Sequence, residues 1–533
     1  MSPLFATDFY KVGHGPMYPF GATFMYNNTT PRKSRIEGID SVVWIGLQYL
    51  IKNYLIKNWN ENFFQKPLEE VRNKYLRLVN AALGPGRVRI EDIENLWRLG
   101  YLPLEIKSLP EGASVPIQVP TCTVQSTNPV GVWLGNYLET LLNCTVWQPS
   151  TSATLAREYK RIFNQYAMET VGNTDFVPFQ GHDFSFRGMS SYETVQTSGF
   201  GHLVFFFGTD TIPAIEFAEE FYNANLDKEL VGCSVPASEH AVASLNILSI
   251  NPFDYVDEFI ERTPEGHDKP TIDNIDLNLV REYVFLKRYI TELFPNGIVS
   301  YVSDTFNLFA VVADLLPRLK PEIMARTGGQ PLDRLVIRPD SFWTDPVDCL
   351  CGYDGYHPQM DKLTPKQKEV VKKGLIEALW DIFGGTVSNQ GYKVLDSHIG
   401  AIYGDSITID RAKNICERLK RKGFASINWV AGIGSYTYQH NTRDTLGFAT
   451  KATYGIVDGQ PVNLYKDPVS DTGFKKSAKG LLRVDKINGV YTLKDQCTPE
   501  EEAGGELKTV FKDGKLLIDH SLAEIRQRVN ESL

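Results

Sequence analysis

Nowhere in its 533 residues does the sequence approach 18 consecutive apolar residues, which excludes a transmembrane helix. The opening MSPLFATDFYKVGHG has no basic stretch followed by an apolar one, so no secretory signal is expected. Positive charge is short as well. Lys and Arg number 55 against 64 Asp and Glu, a net charge of −9, which argues against nucleic acid as the main partner. Cysteine is scarce: seven residues, an odd number without zinc-type spacing, with Cys349-x-Cys351 standing alone. Reduced thiols and a cytoplasmic location are the expectation. Three familiar signatures are also missing, namely G-x-x-x-x-G-K-[ST], G-x-G-x-x-G and H-E-x-x-H.

With 42% apolar and 22% charged residues, the chain has the balance of a globular protein too long for one simple core. Residues 42–55 have the apolar spacing of a buried helix, residues 110–130 read as strands and turns, and helix resumes over 133–142. The second half repeats one unit: a short β-type run, a polar tip, then a helix. The runs are Leu203–Phe207, Gly232–Val235, Ile298–Val302, Leu335–Ile337, Ile399–Tyr403 and Ile427–Ala431. The helix over 409–422 has Ser406 or Thr408 as its N-cap. An open doubly wound sheet shows the same alternation, but polar tips on so many strands favour an α/β barrel. Residues 251–290 and 342–396 interrupt the rhythm as peripheral insertions, the second with an amphipathic helix over 365–383. After residue 446 strands and turns return, and a charged helix over 522–529 closes the chain. The predicted organisation is a barrel over 181–445 and a flanking α+β region built from both ends, residues 1–180 and 446–533.

The tips carry the chemistry. Glu239-His240 offers a base or nucleophile beside a carboxylate. Arg338-Pro339-Asp340 sets a planar cation for phosphate beside an anion suited to a sugar hydroxyl or Mg²⁺. Phe184 and Arg187 pair a stacking ring with a cation, and Gly432-x-Gly434-Ser435 offers backbone N–H groups to a phosphate. Asp210 and Asp405 each follow a strand. Taken alone, each reads at least as well as a helix cap, core packing with a surface cation, a salt bridge or a chance turn; Lys466–Asp471 with Lys475-Lys476 reads as an exposed charged turn. Together they describe a site for a phosphorylated sugar and a flat polar ring.

These motifs, in this order, resemble the nicotinamide phosphoribosyltransferases from about residue 6 onward. The carriers are Asp8-Phe-Tyr10-Lys11-Val12-x-His14, Gly181-His182-Asp183-Phe184-x-Phe186-Arg187-Gly188, Gly208-Thr209-Asp210-Thr211 and Ser234-Val-Pro-Ala-x-Glu239-His240. Val302-Ser303-Asp304, Ile337-Arg338-Pro339-Asp340-Ser341, Tyr403-Gly404-Asp405, Thr442-Arg443-Asp444 and Lys466-Asp467-Pro468-Val469 complete the set. The resemblance implies a type II phosphoribosyltransferase fold. It also implies transfer from 5-phosphoribosyl-1-pyrophosphate to nicotinamide, with Mg²⁺ carried mainly by the pyrophosphate. Homodimers with shared sites are implied, as is ATP acting through a phosphohistidine, with neither nucleic acid nor membrane as a partner. It further implies that Phe184 and the partner subunit's Tyr10 sandwich the pyridine ring while Asp210 binds the carboxamide. Arg338 contacts ring and phosphate, and Arg187 and His240 lie at the pyrophosphate. Asp340, Gly404 and Asp405 hold the ribose; Gly434, Ser435 and Arg443 hold the 5′-phosphate. Arg32, Lys451 and Lys466 line the phosphate channel, and Glu239 and Asp304 orient His240.

The sequence departs from the family pattern at Gly400, where an Arg near the nucleotide is usual, and at Ser435, which replaces a glycine. Phe342-Trp343 replaces a small-polar continuation, and the segment after it is longer. Three rival functions are a nicotinate-using enzyme, a non-catalytic nucleotide-binding dimer and a glycosyl hydrolase on the same barrel. The last requires a carboxylate pair and no phosphate-binding arginines.

Overall fold

A computed structural model describes residues 1–404, 406–466 and 477–533. Six parallel strands form the central sheet in the order Gly208–Thr209, Gly181–Asp183, Trp429–Ile433, Ile399–Tyr403, Arg334–Arg338 and Ile298–Val302. Residues 233–238 touch both edges of this sheet. The Thr209 N–H donates to the Cys233 carbonyl, and Cys233 N–H donates to Phe207. At the opposite edge Ser238 N–H donates to Ser300, whose own N–H donates to Pro236. The sheet thus curls until its edges meet through one segment, leaving few unpaired edge groups. The segment forms only isolated bridges because Pro236 has no N–H to give a regular ladder.

Burial shows why these runs form strands. Tyr301 and Val302 are fully buried, as are Leu335 and Ile337, so each run packs helices on its outer side. The helix Ile409–Arg421 buries Ala412, Ile415, Cys416 and Leu419 at helical spacing, and Thr408 caps it by accepting from Arg411 N–H.

Several expected elements differ in the structure, and the run Gly232–Val235 forms no regular strand, only an isolated bridge at Cys233. Residues 204–207 turn out of the helix Tyr192–Leu203, and the strand is Gly208–Thr209, one step later. Residues 42–55 are not one helix: Ser41–Val43 is a strand, and helical structure begins at Leu47 after Gly46. Gly46 has φ 103°, and a Cβ there would lie 2.6 Å from Pro149. Residues 365–383 are two helices, Pro365–Lys373 and Leu375–Phe383, broken at Gly374 with φ 80°.

A seven-stranded antiparallel sheet flanks the barrel, ordered Gln460–Asn463, Phe448–Val457, Ala22–Pro31, Cys122–Ser126, Leu104–Ser108, Lys508–Lys512, Lys515–Leu516. Both ends of the chain therefore build one layer. The 37-residue helix Leu134–Thr170 runs between this layer and the barrel helices. The terminal helix Leu522–Asn530 is locked to the barrel by Arg526, which donates to the carbonyls of Leu203, Leu230 and Val231. Among the described residues no helix is long and apolar enough to cross a membrane.

Candidate active site

The carboxyl ends of the barrel strands converge, and the first cluster there suits a flat ring. Phe184 follows the strand Gly181–Asp183, and its N–H is fixed to the Ile433 carbonyl at 2.9 Å. Its ring lies 4.5 Å from that of His182, tilted by 31°. Asp210 follows the adjacent strand. The His182 Nε2 (2.9 Å) and Ser234 Oγ (2.5 Å) both reach its Oδ1, and no hydrogen bond is formed to Oδ2 among the described residues. Burial pushes this carboxyl upward, but His182, Ser234 and the nearby Arg338 charge outweigh it and hold Asp210 below its ordinary value. Asp210 does not cap the following helix; Thr211 occupies that position. The cluster is an aromatic ring beside an ionised carboxylate with one oxygen to spare.

The second cluster centres on Asp304. One carboxylate oxygen lies 3.1 Å from His240 Nε2; the other accepts from Ser341 Oγ at 2.6 Å and Asp340 N–H at 3.2 Å. His240 opens the helix His240–Ser249 and is half exposed, whereas Asp304 is buried. With Nε2 donating to the carboxylate, Nδ1 carries the lone pair. Glu239 makes no side-chain hydrogen bond to His240 among the described residues; it precedes the helix, and its carbonyl accepts from Ala243 N–H. Arg338 donates to the Ser238 carbonyl at 2.6 Å and pairs with Asp340 at 3.4 Å. Gly404 lies against this pair so closely that a Cβ would strike the Asp340 carboxylate, which explains the glycine.

Gly434 and Ser435 turn from the strand Trp429–Ile433 into the short helix Ser435–Tyr438. Ser435 packs on Gly188, where any side chain would collide with it, so the Arg187 loop and the glycine-rich turn adjoin. Arg187 is exposed. Arg443, also exposed, pairs with Asp444 at 3.1 Å.

The remaining candidates lie on the flanking layer. Arg32 and Lys451 line a cavity of about 330 Å³ together with Asn28, Thr30 and Gln118. Arg32 Nε is buried there without a hydrogen-bond partner among the described residues, and Lys451 lies 3.4 Å from Glu139. Lys466 is exposed, its N–H bonded to Ser477 Oγ. Tyr10 is 65% exposed, and its ring meets His14 within the chain, not Phe184. Asp405 and the charged turn over 467–476 lie outside the described residues. Residue-by-residue reading passes over His182, Ser234 and Ser341 as functional groups. Each belongs to a motif above, but its role exists only once strands distant in sequence are neighbours.

Fold and side chains define the class: an α/β-barrel enzyme whose strand tips gather an aromatic ring, arginines and carboxylates, a donor set that suits a flat ring, anions and hydroxyl or amide groups. The sequence model of the nicotinate phosphoribosyltransferase (NAPRTase) family matches residues 179–515. The chain is 44% identical over 539 aligned residues to a nicotinamide phosphoribosyltransferase of Acinetobacter baylyi, covering 100% of this chain and 98% of that protein. It is 31% identical over 534 residues to one from Xanthomonas campestris, covering 98% and 97%. The structure of human nicotinic acid phosphoribosyltransferase superposes with a TM-score of 0.52 at 16% identity, covering 99% of this chain and 93% of that one. The chain belongs to the nicotinate phosphoribosyltransferase (NAPRTase) family.

Proposed function

We propose that the protein transfers the phosphoribosyl group of 5-phosphoribosyl-1-pyrophosphate to nicotinamide, giving nicotinamide mononucleotide and pyrophosphate in NAD salvage. Asp210 carries this reading. Its Oδ1 is engaged by His182, whose ring also packs on Phe184, and by Ser234, while Oδ2 makes no hydrogen bond among the described residues and is left as an acceptor. Nicotinamide offers an N–H₂ donor to that oxygen, whereas nicotinate would bring a like charge. A site built on such a bond rejects an analogue lacking it by roughly 10⁴-fold. The 44%-identical relative bears the amide-using name, which agrees with this choice of base.

In the transfer, the pyridine nitrogen lone pair forms the bond to ribose C1 as the bond from C1 to pyrophosphate breaks. The ring becomes a pyridinium and no proton moves. Phe184 stacks the ring, with Tyr10 of the partner subunit on its other face. Arg338 and Arg187 hold the anionic charge, Asp340, Gly404 and Asp405 the ribose, and Gly434, Ser435 and Arg443 the 5′-phosphate. Arg32, Lys451 and Lys466 supply the phosphate channel; the shared cavity of the first two supports this role. Mg²⁺ takes one or two protein carboxylates beside substrate phosphates. Asp340, paired with Arg338, would serve as its carboxylate, and the ion would neutralise charge on the leaving pyrophosphate.

ATP enters through His240. The Nδ1 lone pair forms a bond to the γ-phosphorus as the bond to ADP breaks, and water later releases phosphate. Nδ1 bears no proton in this tautomer, so none has to be removed, and Asp304 steadies the charged ring. Homodimerisation is supported by Tyr10 standing exposed and by Val242, Leu245 and Leu248, an exposed apolar row on the helix that His240 opens. The test is stoichiometry: purified protein with both substrates should release nicotinamide mononucleotide and pyrophosphate one for one. Pyrophosphate without the mononucleotide would refute the reading.

A further inference from the structure

One buried imidazole underlies three limbs of the site. His202, in the last turn of the helix Tyr192–Leu203, is fully buried. Its Nε2 is 2.9 Å from the Gly208 carbonyl and its Nδ1 is 2.7 Å from the Tyr438 hydroxyl. A carbonyl only accepts, so Nε2 carries the hydrogen and Nδ1 accepts from Tyr438. Gly208 opens the strand that delivers Asp210. Tyr438, also fully buried, ends the short helix that begins at Ser435, and its carbonyl accepts from Gln148 Nε2 at 2.7 Å.

Asp183 completes the cluster. It is fully buried immediately before Phe184, and its carbonyl accepts the Asp210 N–H at 3.0 Å. Its Oδ1 accepts from Ser185 N–H, and its Oδ2 is buried without a hydrogen-bond partner among the described residues. The Asp183 charge acts on both His202 and Tyr438. Burial pushes the imidazole down to about 4, so it keeps a single hydrogen-bonding pattern at neutral pH.

We propose that His202 and Tyr438 are positioning residues that set the distance between the ring end of the site, at Phe184 and Asp210, and the turn at Gly434–Ser435. The inference rests on the function proposed above, because only a mononucleotide spans both ends, whereas nicotinamide occupies one. A merely structural pair would affect both ligands alike.

Calorimetric titration of the full chain with nicotinamide mononucleotide and with nicotinamide separates the cases. Tyr438→Phe removes one hydroxyl and should weaken mononucleotide binding roughly tenfold while leaving nicotinamide within about twofold. The KM for 5-phosphoribosyl-1-pyrophosphate should rise with kcat little changed. His202→Gln, which keeps a donor and an acceptor, should bind like the native protein, and His202→Leu, which loses both bonds, should weaken mononucleotide binding at least as much as Tyr438→Phe. Unchanged mononucleotide binding in Tyr438→Phe, or equal loss for both ligands, would overturn the inference. If Tyr438→Phe does not fold, equal mononucleotide affinities of His202→Gln and His202→Leu would overturn it instead. Native protein that neither binds nor makes the mononucleotide would overturn the functional reading itself.

Discussion

Replacing Asp210 with serine removes a charge and keeps a small polar side chain at the strand tip beside His182 and Ser234. Two carboxylates about 4 Å apart repel by about 4 kcal/mol at an effective dielectric of about 20, a factor of roughly 10³ against nicotinate. His182 bonds to Asp210 and the Arg338 charge acts on it, so part of that field is already compensated. The expected effect of Asp210→Ser is a fall of about 10²- to 10³-fold in the ratio of kcat/KM for nicotinamide over nicotinate. Nicotinamide turnover itself should drop about 10- to 100-fold through loss of a charge-assisted bond worth about 1.5–3 kcal/mol. Stability should move by no more than about 1 kcal/mol, since the side chain is 45% exposed and caps no helix. Steady-state kinetics with both bases and a thermal melt of the variant give all three quantities. An unchanged substrate ratio with a lowered melting temperature would show that Asp210 serves the fold and not the choice of base.

Three further outcomes follow from the same geometry. His240→Ala should abolish ATP hydrolysis while weak ATP-independent transfer persists; undiminished hydrolysis would remove His240 from that step. A Tyr10→Ala chain mixed with a His240→Ala chain, each lacking ATP-coupled transfer, should regain part of the ATP-coupled activity, and proven heterodimers without recovery would sink the shared site. His202 is depressed from 6.5 to about 4 by burial, so its contribution is full above pH 6.5 and is lost as pH falls toward 4. That loss is on the order of 3 kcal/mol, and urea unfolding at pH 7 and 4.5 should show it shrinking in His202→Gln. Identical pH slopes for variant and native protein would refute the assignment.

How legible each element is depends on how much of its signal is local. Ile298–Val302 and Ile399–Tyr403 form where continuous apolar runs indicate buried parallel strands. Gly181–Asp183 and Gly208–Thr209 carry no such run; they are held by pairing with neighbours. The helix Leu134–Thr170 extends far beyond the apolar pattern over 133–142. It contains Pro149 and buries polar residues such as Gln148, Ser150 and Thr154, which find hydrogen-bond partners only in the folded chain. The site divides in the same way. Phe184, Asp210, His240 and Arg338 stand out as polar or aromatic tips in ordered motifs. The pairing of His182 and Ser234 on one oxygen of Asp210 spans 28 and 24 residues, and the His202–Tyr438 bond spans 236. No local pattern encodes such contacts.

Most directly testable is the proposed transfer of phosphoribose to an amide-bearing ring with refusal of the acid. Purified protein, given equal concentrations of nicotinamide and nicotinate with limiting 5-phosphoribosyl-1-pyrophosphate, tests it in one reaction read by mass spectrometry. Nicotinamide mononucleotide should be the dominant product, in excess by about 10³-fold or more. Comparable amounts of the two mononucleotides, or an excess of the acid form, would contradict it.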